Sequence, residues 1–450
     1  MNSSPVQTAR FVSGSIMGHV MVMTLTGAIG LMALFLVDLA DLFFLSLLDR
    51  TEITAAIGFA GTIAFINLSL SIGLGIAGAA LVARNLGADD KDAAQRFATN
   101  SLAVTFAISI TLSAFIALFA NELLGALGAR GDALGFARLY LLTLVPGFPF
   151  LACAINCNSS LRAIGDARRA MHATLAVAII NAIFDPLLIF GLGMGIQGAA
   201  LASVLASIIS FSIAIYGLHF VHRFLAVFSI SKFTADLAPI FAIAGPAVLT
   251  QLATPFMIAY LTRASAQFGD EVVAAVAIIN RLTPVAFGVV FSLSAAVGPI
   301  IGQNFGAGEF ARVRRTLIDA MMFSAVYTLA TALILLLLRE HIPAWFLAKG
   351  DTASLVTLYC TWLAVTWAFA GAQFVAQAAF NNLGRAHWST FFNWGKVTIG
   401  TIPFIHLGAW WAGATGIIIA SVVGQVLFGT AAAIVAFRLV NRISSSKPKV

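Results

Sequence analysis

Three aspartates within apolar stretches are the residues of this sequence whose type and placement could do chemistry. Asp38, Asp41 and Asp185 lie in candidate membrane helices, whereas the rest of the 18 acidic residues lie in or beside loops. An aspartate at the centre of a membrane helix costs about 2.5–3.5 kcal/mol on insertion scales, so it usually faces a cavity, a partner or an ion. Burial beside another carboxylate favours protonation, and oxygen ligands alone equally suit a hard cation.

Depth along the predicted helices places several polar groups at one level. At about 1.5 Å per residue, Asp41 lies about 12 Å below the outer membrane surface, and Asp185 and Ser203 each lie about 9 Å below it. Asn181 precedes Asp185 by one helical turn and shares its face. We therefore predict a coupling site for H⁺ or Na⁺ formed by Asp41, Asn181, Asp185 and Ser203, with Asp38 as a further candidate. If the ion is Na⁺, its ligands are expected to be Asp41, Asn181 and Asp185, and no other cofactor is expected.

The composition indicates an integral membrane protein. Hydrophobic residues make up 60% of the 450 residues and charged residues only 10%, against about 45–50% and about 25% in soluble domains. Apolar runs of about 20 residues or more predict twelve transmembrane helices. They lie at 14–48, 53–83, 95–120, 134–161, 170–191 and 196–221, and at 237–266, 272–302, 315–338, 353–381, 387–411 and 414–437.

An internal repeat divides these helices into two sets of six. Glu52, Asn85 and Arg96 recur 219 positions later as Glu271, Asn304 and Arg315, and near the end of each half the offset slips by one, as from Gly198 to Gly416. Repeats of this kind are typical of secondary transporters. The expected fold is all-α, with two six-helix bundles related by a pseudo-two-fold axis along the membrane normal. Its parts are an N-terminal lobe (1–222), a cytoplasmic linker (223–236) and a C-terminal lobe (237–450).

Basic residues predict the orientation. Most of the 25 lysines and arginines fall in segments that are cytoplasmic if both termini are cytoplasmic, as the positive-inside rule requires. The expected location is the cytoplasmic (inner) membrane, as a multi-pass protein in contact with membrane lipids. The net charge of +7 follows from this bias, so nucleic acid is not an expected partner.

Glycine and proline positions predict where helices bend. Gly27 and Gly30 interrupt helix 1, and Pro246 and Pro255 interrupt helix 7 at corresponding depth. Such breaks are tolerated in membranes when neighbouring groups satisfy the freed backbone. These four residues are possible hinges for alternating access, although close helix packing alone would also explain them.

Several motifs resemble those of the multidrug and toxic compound extrusion (MATE) transporters. They are the segment from Asp41 to Leu48 with Ala55 to Gly58, Asn181-x₃-Asp185-Pro186 with Gly198 to Ala202, and the loop from Gly302 to Gly308. The resemblance covers nearly the whole chain and is closest to the prokaryotic branch with a cation site in the N-terminal lobe. It implies a V-shaped exporter that exchanges organic cations or other amphipathic compounds for H⁺ or Na⁺. It also implies the site at Asp41, Asn181, Asp185 and Ser203, with Asn158 as an associated polar residue.

Three other functions fit the sequence less well. A lipid or lipid-linked oligosaccharide flippase shares the helix count and the repeat, and remains the alternative, but it would be expected to line its cavity with cations. A channel needs no paired carboxylates at matched depth. An enzyme is not expected, since neither a P-loop nor a His-Glu-x-x-His motif occurs.

Overall fold

The computed structural model describes residues 9–46 and 51–445, with the side chains of residues 38–46, 51 and 54 outside the description. Within these ranges the chain is helical and contains no strand. The helices of the first half are α1 (Ile16–Ser46), α2 (Thr51–Gly87), α3 (Lys91–Leu118), α4 (Ala120–Ala126), α5 (Gly131–Leu144), α6 (Phe148–Ala163), α7 (Ala167–Pro186) and α8 (Ile196–Tyr216). Those of the second half are α9 (Ile230–Ala266), α10 (Asp270–Gly306), α11 (Phe310–Leu337), α12 (His341–Trp345), α13 (Gly350–Leu358), α14 (Trp367–Asn382), α15 (His387–Thr398), α16 (Ile402–Ser421) and α17 (Val423–Ser445).

The last long helical stretch contains two membrane spans. Eleven segments of the described chain are long and apolar enough to cross a membrane, and the last of them, His387–Ser445, has 59 residues. It is broken at Ala412 and Gly413, where Gly413 has φ 58° and ψ −134°. On either side of the break, glycines leave no room for a Cβ against the opposing helix. The contacting pairs are Gly395 with Phe428, Gly400 with Gly424, and Gly408 with Gly416. In each pair the two residue numbers add up to 823 or 824, which is the pattern of two antiparallel helices joined at the break.

The predicted twelve-helix, all-α fold is therefore confirmed. The break falls between the predicted spans 387–411 and 414–437. Helix α9 begins at Ile230, ahead of the predicted span 237–266. The physical reason is Asp236, which is buried and bound to α3 rather than solvated. The short helices α4 and α12 were not predicted, because they are too short to give a hydropathy signal.

The repeat is visible in the backbone as well as in the sequence. Left-handed residues recur at the same 219-residue offset in the loops: Asp89 with Gly308, Gly128 with Leu347, Gly131 with Gly350, and Gly165 with Gly384. The one-residue slip is reproduced too, because Gly195 (φ 53°, ψ −131°) corresponds to Gly413 at an offset of 218. Both halves thus use the same loop geometry. Leu347 keeps the positive φ of its repeat equivalent Gly128, although such a φ is strained for leucine.

Each half has its own apolar core. In the first, Ala56, Leu124 and Leu141 are fully buried. In the second, Ala275, the repeat equivalent of Ala56, is fully buried beside Val356 and Phe287. Small residues at these crossings let membrane helices approach closely, which is the main source of their packing energy.

Contacts divide the chain into two compact units, and the boundaries between them fall within α1 and α9. One unit comprises residues 29–248, and the other comprises residues 9–28 and 249–450. The predicted lobe boundaries at 222 and 237 remain predictions. The start of α1 packs with the second half of the sequence, and the start of α9 packs with the first half. The two breaks, 28/29 and 248/249, correspond in the repeat to within one residue.

Candidate functional site

Helix α7 carries the two polar residues that dominate the site. Asp166 caps its N-terminus by accepting a hydrogen bond from the Arg169 amide. The helix ends at Pro186, and the next five residues form a wide π turn closed by the Leu192 amide on the Leu187 carbonyl at 2.9 Å. Asn181 and Asp185 are buried, with 7% and 1% exposure. A nearly fully buried carboxylate inside a membrane helix is a candidate for a functional position.

Helix α8 brings Ser203 to the same level. It packs antiparallel to α7, and two contacts define the register: Gly198 leaves no room for a Cβ against Leu188, and Gly217 lies against Arg169. Both pairs have the same sum of residue numbers, so Ser203 lies level with Ile183, between Asn181 and Asp185. Ser203 is half-buried. The structure therefore places three of the predicted residues within about 3 Å of one depth.

Helix α1 extends this level to Asp41. Gly30 approaches Thr174 of α7, where an added Cβ would lie 3.1 Å from the threonine side chain. In the predicted topology both helices run in the same direction, and eleven residues make about three full turns. Continuing both by eleven residues brings the backbone of Asp41 level with Asp185. The side chains of Asp38 and Asp41 lie outside the described residues.

The second unit shows the same helix pair with its side chains described. There α15 donates to the α9 backbone, from Asn393 Nδ2 to the Thr250 carbonyl at 2.6 Å and from Trp394 Nε1 to the Leu249 carbonyl at 2.8 Å. Leu249 and Asn393 are the repeat equivalents of Gly30 and Thr174.

Three turns further along, Tyr260 is the repeat equivalent of Asp41. Its hydroxyl lies 2.6 Å from His406 Nε2 of α16. In the second half, therefore, α9 still contacts the helix beside it at the level that corresponds to Asp41.

Asn158 lies away from this level. It is buried on α6, with its side-chain oxygen bonded to no described group. Contacts of Gly147 with Val204 and of Gly217 with Leu161 show that α6 and α8 run in parallel register. This register places Asn158 level with residues 214–215 of α8, roughly 17 Å along the helix axis from Ser203. An associated role for Asn158 would therefore be separate from the four-residue cluster.

The proposed hinge residues lie where helices pass between units. Gly27 leaves no room for a Cβ against Ser292, whose hydroxyl donates to the Thr24 carbonyl at 2.8 Å. α1 and α9 are each continuous helices through their glycines and prolines. The glycines thus serve close packing in this structure, and bending at Gly27, Gly30, Pro246 and Pro255 stays a prediction.

A clamp on the segment before α1 was not predicted from the sequence. Phe11 is buried, its amide donates to Gln303 Oε1 at 2.8 Å, and its carbonyl accepts from Asn304 Nδ2 at 3.1 Å. Arg312 donates to the same carbonyl at 2.9 Å and to the carbonyls of Ser13 and Gly14, each at 3.2 Å. The motif from Gly302 to Gly308 can be recognised in the sequence, but sequence spacing does not reveal its partner almost 300 residues away.

Two charged clusters hold the inner ends of helices in the first unit. Asp166 accepts from His222 Nε2 at 2.7 Å and from the Arg169 guanidinium. Burial raises the pKa of Asp166, but these hydrogen bonds lower it by more, so the pKa lies well below its usual range. In the second cluster, Asp236 accepts from Arg96 at 2.9 Å and from Asn100 at 2.7 Å.

The described residues contain no group of three or more His, Cys, Asp or Glu side chains that could hold a metal ion. This statement does not extend to Asp41, whose side chain is outside the description. The three cysteines are all buried and unpaired by disulfides.

Comparison with known proteins identifies the family. The MatE family profile matches residues 28–187 and 246–405, two copies whose offset of 218 is within one residue of the repeat offset. The "FAD transporter" of Shewanella oneidensis is 31% identical over 94% of this chain and 95% of its own length. The "Multidrug export protein MepA" of Staphylococcus aureus is 23% identical over 92% of each chain. The chain therefore belongs to the MATE family of membrane transporters.

The fold agrees with solved MATE structures. The crystal structure of the Vibrio cholerae MATE transporter VcmN in the bent form superposes with a TM-score of 0.89 at 24% identity, covering 96% of this chain and 98% of that one.

Proposed function

We propose that this chain is a cation-coupled secondary antiporter that exports amphipathic small molecules across the cytoplasmic membrane by alternating access. The coupling ion is H⁺ or Na⁺. Export of organic cations is the first candidate activity. Membership of a multidrug-exporting family favours this function over a lipid flippase and over an enzyme.

One observation supports the coupling site above all others. The Gly30–Thr174 contact sets the register of α1 on α7 so that Asp41 and Asp185 share a level, and Asn181 and Ser203 lie at that level too. The described contact between Tyr260 and His406 in the second unit supports the same helix pairing. Two carboxylates, an amide and a hydroxyl at one depth form a suitable oxygen set for a proton or a sodium ion.

The proposed mechanism uses the charge of this cluster. Two neighbouring buried carboxylates repel each other when both are ionised, and binding of H⁺ or Na⁺ removes that repulsion. Such a change alters how α1 packs on α7 near Gly30. Because α1 belongs to one unit before residue 28 and to the other after it, a bend there would transmit ion binding to the substrate path.

A second substrate class is a flavin nucleotide. The relative named "FAD transporter" shares 31% identity with this chain over almost its full length, a higher identity than that of the multidrug export protein. A dinucleotide is anionic and bulky, whereas the typical multidrug substrate is cationic. The two candidates therefore differ in the sign of the charge that must cross.

Both candidates can be tested in one assay. Purified protein in proteoliposomes is given an H⁺ or an Na⁺ gradient separately, and uptake of ethidium is measured with and without excess FAD. We expect ethidium uptake under at least one gradient, and inhibition by FAD if the nucleotide shares the path. Uptake that is independent of both gradients would contradict the antiporter.

A further inference from the structure

A row of buried amides lies between α14 and α15 in the second unit. Gln373, Gln377 and Asn381 follow one another at four-residue intervals on one face of α14, and Ser389 and Asn393 oppose them on α15. Gln373 Nε2 donates to Asn393 Oδ1 at 3.4 Å, and the Ser389 hydroxyl donates to Asn381 Oδ1 at 3.0 Å. All five side chains are at most 7% exposed. They are called the amide patch below.

The first half shares only part of this patch. The repeat equivalents of Gln373, Ser389 and Asn393 are Ala154, Ala170 and Thr174, whereas those of Gln377 and Asn381 are Asn158 and Arg162. The first half therefore builds the same pair of helices without amides at the positions of Gln373 and Asn393, and the amide row is complete only in the second half. Polar groups that are not needed for architecture are costly to keep inside a membrane protein, which points to a binding role.

Two atoms of the patch have no hydrogen-bond partner among the described residues. They are Gln373 Oε1, an acceptor, and Gln377 Nε2, a donor, one helical turn apart. Leaving such groups unpaired in a low-dielectric interior costs free energy, so a molecule that pairs with both is favoured. A complementary molecule presents a donor beside an acceptor.

Helix α9 is bonded to α15 at Asn393, a member of the patch, and at the neighbouring Trp394. Asn393 donates to the Thr250 carbonyl and Trp394 to the Leu249 carbonyl. Both carbonyls lie between Pro246 and Pro255, each of which removes a backbone hydrogen bond from α9. Bending of α9 in this stretch would separate it from Asn393.

We propose that the amide patch binds the uncharged edge of a planar heteroaromatic substrate, with an imide N–H donating to Gln373 Oε1 and an imide carbonyl accepting from Gln377 Nε2. Every member of the patch is uncharged, so it selects hydrogen-bonding pattern rather than charge. The inference rests on the proposed transport function and specifies the substrate chemistry of the second unit.

Lumichrome, a fluorescent planar imide, provides the test with purified protein in nanodiscs. Its binding is compared with that of 3-methyl-lumichrome, in which the imide N–H is blocked. We expect Gln373→Leu and Gln377→Leu each to weaken lumichrome binding about 3- to 10-fold, the effect of one lost hydrogen bond. Gln425→Leu, which removes an amide bonded to Thr366 at 2.9 Å outside the patch, should leave binding unchanged.

The methylated ligand separates recognition from folding. It should bind the wild type more weakly than lumichrome does and should be insensitive to Gln373→Leu. Equal binding of both ligands to the wild type, no saturable binding, or unchanged affinity in both patch variants would overturn the proposal. Lumichrome binding should persist in Asp185→Asn, so failure of the ion-coupling mechanism would leave this result intact.

Discussion

At the scale of single residues, the site combines features that a sequence reveals with features that it hides. Asp185 was identifiable because an aspartate beside proline is rare in an apolar stretch. The partners of Asp166 were not identifiable, since His222 lies 56 residues away and is an ordinary loop residue in the sequence. An unusual residue such as Asp185 can be recognised from its own position in the sequence. The hydrogen-bond partners of a side chain such as Asp166 depend on how the helices pack.

The Asp166 cluster makes a prediction about stability and pH. Because hydrogen bonds hold the pKa of Asp166 below its usual range, its contribution is fully present above the unfolded value of about 3.9 and is lost as pH falls through the folded value. Asp166→Asn should therefore lower the midpoint of thermal unfolding in detergent by a few degrees at pH 7. The difference from the wild type should narrow at pH values below about 4.

Asp132→Asn is the matched control, since Asp132 is exposed at the start of α5. It should melt like the wild type at every pH. A difference between Asp166→Asn and the wild type that stays constant down to the lowest pH would show that the carboxylate's ionisation is not the source of the stability.

At the scale of elements, hydropathy predicted the membrane helices well, because a span needs about 20 apolar residues whatever its neighbours are. It predicted boundaries less well where a charge is satisfied by a distant partner. Asp236 appeared to mark a solvated linker but lies within α9, bound by Arg96 and Asn100. The register of α8 on α7 puts Asn181, Asp185 and Ser203 at similar depths, as the rise per residue predicts from the sequence.

The contacts of Arg312 with residues 11–14 can be tested by hydrogen exchange. Arg312 donates to three backbone carbonyls of that segment, so Arg312→Ala should release it. Hydrogen exchange of the amides between residues 11 and 19 should accelerate at least about tenfold, because local opening governs exchange.

Arg314→Ala removes an exposed arginine two positions away and should leave that exchange unchanged. Identical exchange in the two variants would mean that Phe11 and the loop amides hold the segment without the arginine.

At the scale of the whole molecule, the repeat gives two copies of one architecture with different chemistry. The position of Asp41 is occupied in the second half by Tyr260, bonded to His406, and that of Thr174 by Asn393 of the amide patch. This divergence is consistent with one half coupling to the ion and the other contacting the substrate. The shared scaffold can be inferred from matching residues in the sequence, but the different contacts of the two halves became visible only in the packing of α9 on α15.

The central claim is that Asp41 and Asp185 act together as one coupling site. The most direct measurement is gradient-driven ethidium uptake by proteoliposomes containing the wild type, Asp41→Asn, Asp185→Asn or Asp132→Asn at matched protein content. We predict uptake by the wild type and by Asp132→Asn, and loss of uptake in both site variants. Full gradient-driven uptake by Asp41→Asn and Asp185→Asn would contradict it.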